Sequence, residues 1–520
     1  MAATTRFKVF ANLYKDSVTL MQLGAKLRER DGIAQASCLM ATPANLAQLQ
    51  DADLSIDTKA APSDLLVVVR GEPGACDEAI AAADAILQSK GSASDGEAAA
   101  FSLPLTSLAL GVEASPDADL ALISVPGDYA AAEAMKALAL GLHVMLFSDN
   151  VSVEEERAIK TVARAKDLLV MGPDCGTAIV NGVPLGFANV VRRGDIGLVA
   201  ASGTGLQEVT CRIHNLGGGI SQALGTGGRD LKEEIGGITM LQGLAALAAD
   251  AGTHVIVLIS KPPAPAIARQ IEDAAAAAGK PVVVHFLGAS PEAMRSGLFA
   301  ASSLRHAADV AVALARSEPA PNANAAPPEA AISAVERLAV AMAPTQKAVR
   351  ALFTGGTFCY EAQLAFIARG LACSSNAPAK GARPFDSHAA RYDGHVFLDL
   401  GDDDYTRGRP HPMIDPSLRD AAVRTQGADP NTAAILFDVV LGFGSHDDPA
   451  RGLASALTDA QREAHAQGRT LALIGHVCGT DGDPQNKAAQ VRQLEAVGAL
   501  IVDSNVEAAL LAAHLAAQRA

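Results

Sequence analysis

The sequence predicts an α/β protein built of several parallel-sheet domains behind a small N-terminal α+β domain. Three observations predict it. Short, continuously apolar runs end repeatedly in glycine or proline turns and lead into alanine-rich helical segments; such runs belong to strands covered on both faces of a parallel sheet. The 520 residues exceed what one hydrophobic core organises. Hydrophobic residues make up 49% and charged residues 19%, which supplies several cores and excludes broad disorder.

Composition also excludes functions. Aromatic residues fall to 4% with no tryptophan, which argues against stacking platforms for single-stranded nucleic acid. A net charge of −15 opposes nonspecific nucleic-acid binding. The seven cysteines form no CxxC pair, as suits a reducing compartment. Residues 1–6 lack the charged-then-apolar order of a signal peptide, and no apolar run reaches the roughly 18 residues of a membrane span. The expected location is the cytoplasm, with no membrane partner.

Taken in order, residues 7–12 and 64–70 read as strands around a helix at 16–30, in a domain ending near 98. Thr42-Pro43-Ala44-Asn45 reads as a turn or a helix start. Residues 89–100 are small and polar, and 317–330 hold four prolines among alanines and asparagines; both read as linkers. Apolar strands follow at 120–125, 197–200, 255–259 and 434–440, ending at Pro126-Gly127, Ser202-Gly203-Thr204-Gly205, Lys261-Pro262-Pro263 and Gly442-Phe443-Gly444. Ligands of such sheets bind beyond the carboxyl ends of the strands, so these turns are where function is sought.

Ser202, Gly203 and Thr204 open a helix whose free N–H groups favour an anion, although Glu208 stands where a GxGxxG motif would end. A plain helix cap explains the same residues. Gly227 and Arg229 form a second glycine-rich turn whose arginine can grip a carboxylate or phosphate, or pair with a nearby acid. Asp174 and Cys175 lie in a third turn, with the cysteine a candidate nucleophile or an inert thiol. Residues 399–415 compress carboxylates, Arg407, Arg409 and His411 between prolines, after an apolar strand. Acid/base work or anion binding needs such groups; Asp402 and its neighbours show no ligand spacing for Mg²⁺. Gly442, Gly444 and Ser445 form another candidate helix-terminus anion site. No HExxH, zinc-type cysteine cluster or GxSxG elbow occurs, so no metal site is expected.

Gly172-Pro173-Asp174-Cys175, residues 194–199 and Ser202-Gly203-Thr204 resemble the α subunit of succinyl-CoA synthetase. Phe397-Leu398-Asp399 and residues 437–444 resemble the final domain of its β subunit. Nearly the whole chain resembles the FdrA proteins, through residues 16–21, Phe147 to Val151 with Asn150, and 399–416. The resemblance implies a Rossmann-like, CoA-binding-type domain at 99–190 and a flavodoxin-like α-type domain at 191–316. It further implies a linker and lead-in at 317–344 and a flavodoxin-like β-type domain at 345–520.

Two departures from the synthetase bear on chemistry. Residues 295–302, after the strand at 281–287, hold no histidine where the synthetase carries its phosphohistidine, and no ATP-grasp domain is present. The FdrA resemblance implies instead a component of oxamate carbamoyltransferase in ureide (allantoin) breakdown, acting with companion subunits of a hetero-oligomer. That enzyme interconverts oxalurate plus phosphate with oxamate plus carbamoyl phosphate. Phosphate and carbamoyl phosphate are then substrates, no cofactor is assigned, and CoA and Mg²⁺ stay open without a supporting motif. In this reading Ser202 to Thr204 and Gly442 to Ser445 hold phosphate, Arg407 and Arg409 orient substrate, and His411 moves a proton. An acyl-CoA ligase and a noncatalytic CoA- or anion-binding scaffold, homo-oligomeric or not, are the alternatives.

Overall fold

The computed structural model describes residues 3–88 (apart from 53 and 55), 105–290, 294–323, 326–386, 392–406 and 409–519. Four sheets follow one another along the chain. The first has strands β1 (Thr4–Phe10), β2 (Ile33–Met40) and β3 (Leu65–Gly71), in the order β1-β3-β2, all antiparallel. β3 is central and almost wholly buried, as its Leu-Leu-Val-Val-Val run requires. β2 was not expected; its sequence IAQASCLM alternates small and polar residues with apolar ones, so it has no continuous run to announce it. Thr42 accepts the N–H of Asn45 at 3.3 Å and caps the helix Pro43–Asp51, the capping reading of that segment.

The second sheet is parallel, with β4 (Leu120–Ile123), β5 (His143–Leu146) and β6 (Val170–Met171) in sequence order. The third comprises β7 (Thr177–Val180), β8 (Val183–Gly186), β9 (Arg193–Ala201), β10 (Ile220–Gly225), β11 (Val255–Ser260), β12 (Val282–Phe286) and β13 (Phe299–Ala300). Its order is β13-β12-β11-β9-β10-β7-β8. The hairpin β7–β8 joins through an antiparallel contact between β7 and β10. A domain boundary at residue 190 would cut this sheet, so the sheets part instead between Met171 and Thr177.

The fourth sheet comprises β14 (Ala348–Phe353), β15 (Cys373–Ser375), β16 (Arg383–Pro384), β17 (His395–Asp399), β18 (Thr432–Val440), β19 (Ala472–Cys478) and β20 (Leu500–Val502). It is parallel throughout, in the order β16-β15-β17-β14-β18-β19-β20. One apolar cluster runs through both large sheets, from Ile196 and Val257 through Leu304 to Phe353, Phe358 and Leu511. The third and fourth sheets therefore share a core.

Topology places the site. In the third sheet β9 precedes both neighbours, β10 and β11, in sequence; in the fourth, β14 precedes β17 and β18. Each is a topological switch point, where connections leave in opposite directions and open a crevice beyond the strand end. β9 ends at Ala201 and β14 at Phe353, each followed directly by a helix, Gly203–Asn215 and Gly356–Ile367.

Candidate anion site between two helix starts

The two helix starts meet. Ser202 is extended and its Oγ accepts the Gly205 N–H at 3.1 Å, capping the Gly203 helix. The same Oγ shares a 2.7 Å hydrogen bond with Thr357 Oγ1 in the first turn of the Gly356 helix. A Cβ added to Gly355 would lie 3.0 Å from Thr204 Cγ2, and one on Gly356 would collide with the Asp399 carboxylate. Only glycine permits the two ends to approach this closely. Asp438, fully buried on β18, accepts the N–H groups of Thr354 and Gly355 at 2.7 and 2.8 Å and fixes the turn. Among the described residues, the N–H groups of Gly203, Thr204, Gly356 and Thr357 have no protein acceptor. Four N–H groups at two helix N-termini form a site of positive potential.

Charged groups border it. Asp399, at the end of β17, is buried; its Oδ1 accepts the Gly401 N–H at 3.0 Å. Burial pushes its carboxyl up to about 6, against the pull of Lys261 and with the push of Asp402. Asp174 is also raised to about 6, by burial first and then by Asp149 and Asp403, with Lys261 and Arg229 opposing. It is hemmed in by protein yet keeps an exposed edge, as the wall of a cleft does. Asp149 is raised by burial, with a hydrogen bond from Asn150 opposing. Lys261, directly after β11, is half-buried and forms no side-chain hydrogen bond or ion pair among the described residues. It is the available cation of the cleft, and sequence reasoning quoted it only as the end of a strand.

The structure redistributes the other expected roles. Gly442 to Ser445 is no anion cradle: the Gly442 N–H goes to Gln485 Oε1 at 3.1 Å and the Phe443 N–H to the Ala188 carbonyl at 2.9 Å. Gly444, at φ +78°, lies against the Phe187 ring, and Ser445 Oγ is buried without a partner. The helix that meets Ser202 is the one at Gly356. Its signal was legible, since Thr354-Gly355-Gly356-Thr357 follows an apolar strand as Ser202 does.

Arg229 is not free to grip an anion. Its Nε donates to Glu156 at 3.0 Å and its NH2 to the Val151 carbonyl at 2.7 Å. Gly227, at φ +82°, gives the close backbone approach to Pro173. Cys175 is buried, with its thiol pushed up to about 12 by burial, so it is no nucleophile. Asn150 and Asp174 both hold left-handed φ angles, 54° and 56°, beside one another at the cleft wall.

Arg407 lies outside the described residues, and Arg409 is exposed. Asp402 Oδ1 accepts the Asp404 N–H at 3.1 Å within its own turn. His411 differs most from expectation. Burial lowers it to about 4, so the ring is neutral at pH 7. Its Nδ1 accepts the Met413 N–H at 3.2 Å, which puts the proton of the neutral ring on Nε2, beside Gly401. His411 is a fixed hydrogen-bond donor.

Comparison with known proteins agrees with this architecture. A CoA-ligase family model matches residues 352–515, a CoA binding domain model residues 191–288, and a model described as AllF, heavy metal-associated domain, residues 1–102. The CoA binding match falls on the third sheet, not on 99–190. The Escherichia coli (strain K12) protein YahF is 42% identical over 507 residues, 96% of each chain. The ADP-forming sulfoacetate-CoA ligase subunit SauD of Bilophila wadsworthia is 26% identical over 151 residues, 28% of this chain and 50% of that one. A Ca. Korarchaeum cryptofilum dinucleotide-forming acetyl-coenzyme A synthetase aligns over 78% of this chain and 85% of its own at 17% identity, with a TM-score of 0.33.

The coenzyme A implied by the fold family carries phosphates, and the free N–H groups of Gly203, Thr204, Gly356 and Thr357 beside Lys261 suit one of them. Those residues would hold it, and no step below is routed through it. Among the described residues no helix is long and apolar enough to cross a membrane. The scaffold is of succinyl-CoA synthetase type, and its full-length likeness to YahF together with the three matched domains shows that the chain belongs to the FdrA-like family.

Proposed function

We propose that the chain is a component of a carbamoyltransferase that interconverts oxalurate plus phosphate with oxamate plus carbamoyl phosphate in ureide catabolism, acting with companion subunits. The observation that carries this reading is the meeting of two helix N-termini at Ser202 and Thr357, beside a lysine without a partner among the described residues. The family resemblance supplies the substrates.

Phosphate sits on the N–H groups of Gly203, Thr204, Gly356 and Thr357, with Lys261 balancing its charge. A phosphate oxygen attacks the carbamoyl carbon of oxalurate, the C–N bond to the oxamate nitrogen breaks, and that nitrogen takes the proton the phosphate gives up. Asp399, raised to about 6, suits a group that holds this proton in transit. His411 donates from Nε2 to a substrate oxygen, and Arg409 meets the substrate carboxylate. Orientation and charge stabilisation supply most of the rate, since the carbamoyl group moves without a covalent enzyme intermediate.

The described histidines favour this over a phosphohistidine relay. His476 is buried with both ring nitrogens engaged, and His306 has Ser302 and the Pro321 carbonyl on its two nitrogens. The test is release of carbamoyl phosphate from oxalurate and phosphate by the reconstituted assembly. Loss of at least tenfold in Lys261→Met supports the assignment; full activity in Lys261→Met and Asp399→Asn sinks it. The CoA-ligase match over 352–515 favours a second reading, an acyl-CoA ligase component, which ATP- and CoA-dependent acylation would identify.

A further inference from the structure

Behind the anion site, the same Gly203 helix carries a second cluster. Glu208 and Cys211 stand one turn apart on that helix, the spacing that puts two side chains on one face. His476 and Cys478 stand two apart on β19 and point to one side of the sheet. The two pairs face each other across the junction of the third and fourth sheets, and all four residues are buried. One donor atom each from Glu208, His476 and Cys478 lies within 4.8 Å of the others. The Cys211 thiol neighbours that of Cys478, and each shifts the other's titration.

We propose that Glu208, Cys211, His476 and Cys478 form a structural site for a zinc-like divalent cation. Its function is to bolt the helix that begins at Ser202 to the sheet of the other domain. The donor set, one imidazole, one carboxylate and two thiols, is that of a borderline-soft tetrahedral ion rather than Mg²⁺ or Ca²⁺. Orientation supports it independently: His476 Nδ1 lies 3.4 Å from the Val502 carbonyl, so Nε2 is the nitrogen presented to the cluster, 2.7 Å from Glu208 Oε2. A backbone carbonyl behind a ligating histidine is the usual outer support of a metal site. The ring of Phe358, from the first turn of the Gly356 helix, meets His476 edge-on with centroids 5.8 Å apart and closes that side. Binding releases the protons of both thiols and of any imidazolium to solvent, and no oxidation or reduction occurs.

Spacing within the sequence hides this site, because the two ligand pairs are 268 residues apart. It is also separate from residues 1–102, whose family model carries the words heavy metal-associated. Those residues hold Cys38 and Cys76, both buried, and they provide the control.

The experiment uses the reduced, tag-free full chain titrated with Co²⁺ without oxygen. The expected result is one equivalent bound, with a thiolate-to-cobalt charge-transfer band that Zn²⁺ abolishes. Cys478→Ser and His476→Gln should weaken binding more than tenfold, whereas Cys38→Ala should leave the band unchanged. Circular dichroism establishes that each variant is folded; if neither ligand variant folds, cobalt X-ray absorption on the wild-type chain decides by its sulfur and nitrogen neighbours. No charge-transfer band, a band lost with Cys38→Ala, or one that survives both folded ligand variants would overturn the proposal. None of these readings depends on the carbamoyltransferase assay, so the two fail separately.

Discussion

Ser202 Oγ and Thr357 Oγ1 are 2.7 Å apart although 155 residues separate them, and their hydrogen bond joins the starts of helices from two different sheets. Ser202 also caps its own helix, so the two hydroxyls do unequal work. Ser202→Ala should cost roughly 1–2 kcal/mol through the lost cap. Thr357→Val should cost less, with a coupling of about 1 kcal/mol between the two in a double-mutant cycle. Urea denaturation of the four proteins measures it, and additive single effects would show that the contact does not join the domains.

Among the described residues Lys261 has no hydrogen-bond or ion-pair partner, so its role should show in ligand affinity. Lys261→Met is expected to weaken phosphate or carbamoyl phosphate binding at least tenfold while stability changes by less than about 0.5 kcal/mol. Calorimetric titration and thermal melting check the two halves separately.

Asp399 gives a pH signature. Its folded value, about 6, lies above that of a free carboxyl, so between about pH 4 and 6 the folded protein holds a proton the unfolded chain has released. Stability is therefore lost as pH rises through that window, and the full cost is present above it. Asp399→Asn removes the titration while Oδ1 still accepts the Gly401 N–H. The variant should be more stable than wild type by on the order of 2 kcal/mol at pH 8, with the gain vanishing near pH 4. Melting curves across pH test the sign, and activity should fall as stability rises.

Lys160 is the converse case, a buried cation whose removal strands its partners. Its Nζ donates to Glu156 and Asp230 at 2.8 Å and to the Thr226 carbonyl at 3.0 Å, and it joins the helix Val153–Ala165 to the third sheet. Lys160→Met should cost about 3–5 kcal/mol because buried Asp230 loses its counter-charge and Glu156 keeps only Arg229. Equilibrium denaturation measures the loss, and Lys160→Met with Asp230→Asn should recover part of it.

The parallel sheets were legible because their strands are uninterrupted apolar runs, such as Val255 to Ile259, bounded by turn residues. β2 was not, since alternation of small residues leaves no run, and the joining of β7–β8 to the third sheet rests on one long-range contact with β10. At the site, Ser202 was readable as serine and glycine after a buried strand. Gly442 has the same local grammar and a different fate, because Gln485 and Ala188 take its turn's N–H groups from far along the chain. The neutrality of His411 likewise comes from burial by the fold rather than from the prolines beside it.

The central claim is that phosphate held at the two helix starts attacks a carbamoyl carbon directly. The most direct measurement is to give the reconstituted assembly radiolabelled phosphate and oxalurate and to follow the label through a single turnover. The account predicts that all transferred label appears in carbamoyl phosphate, with none on the chain and no requirement for ATP or coenzyme A. Label bound covalently to this polypeptide, or turnover that begins only when ATP and coenzyme A are added, would contradict it.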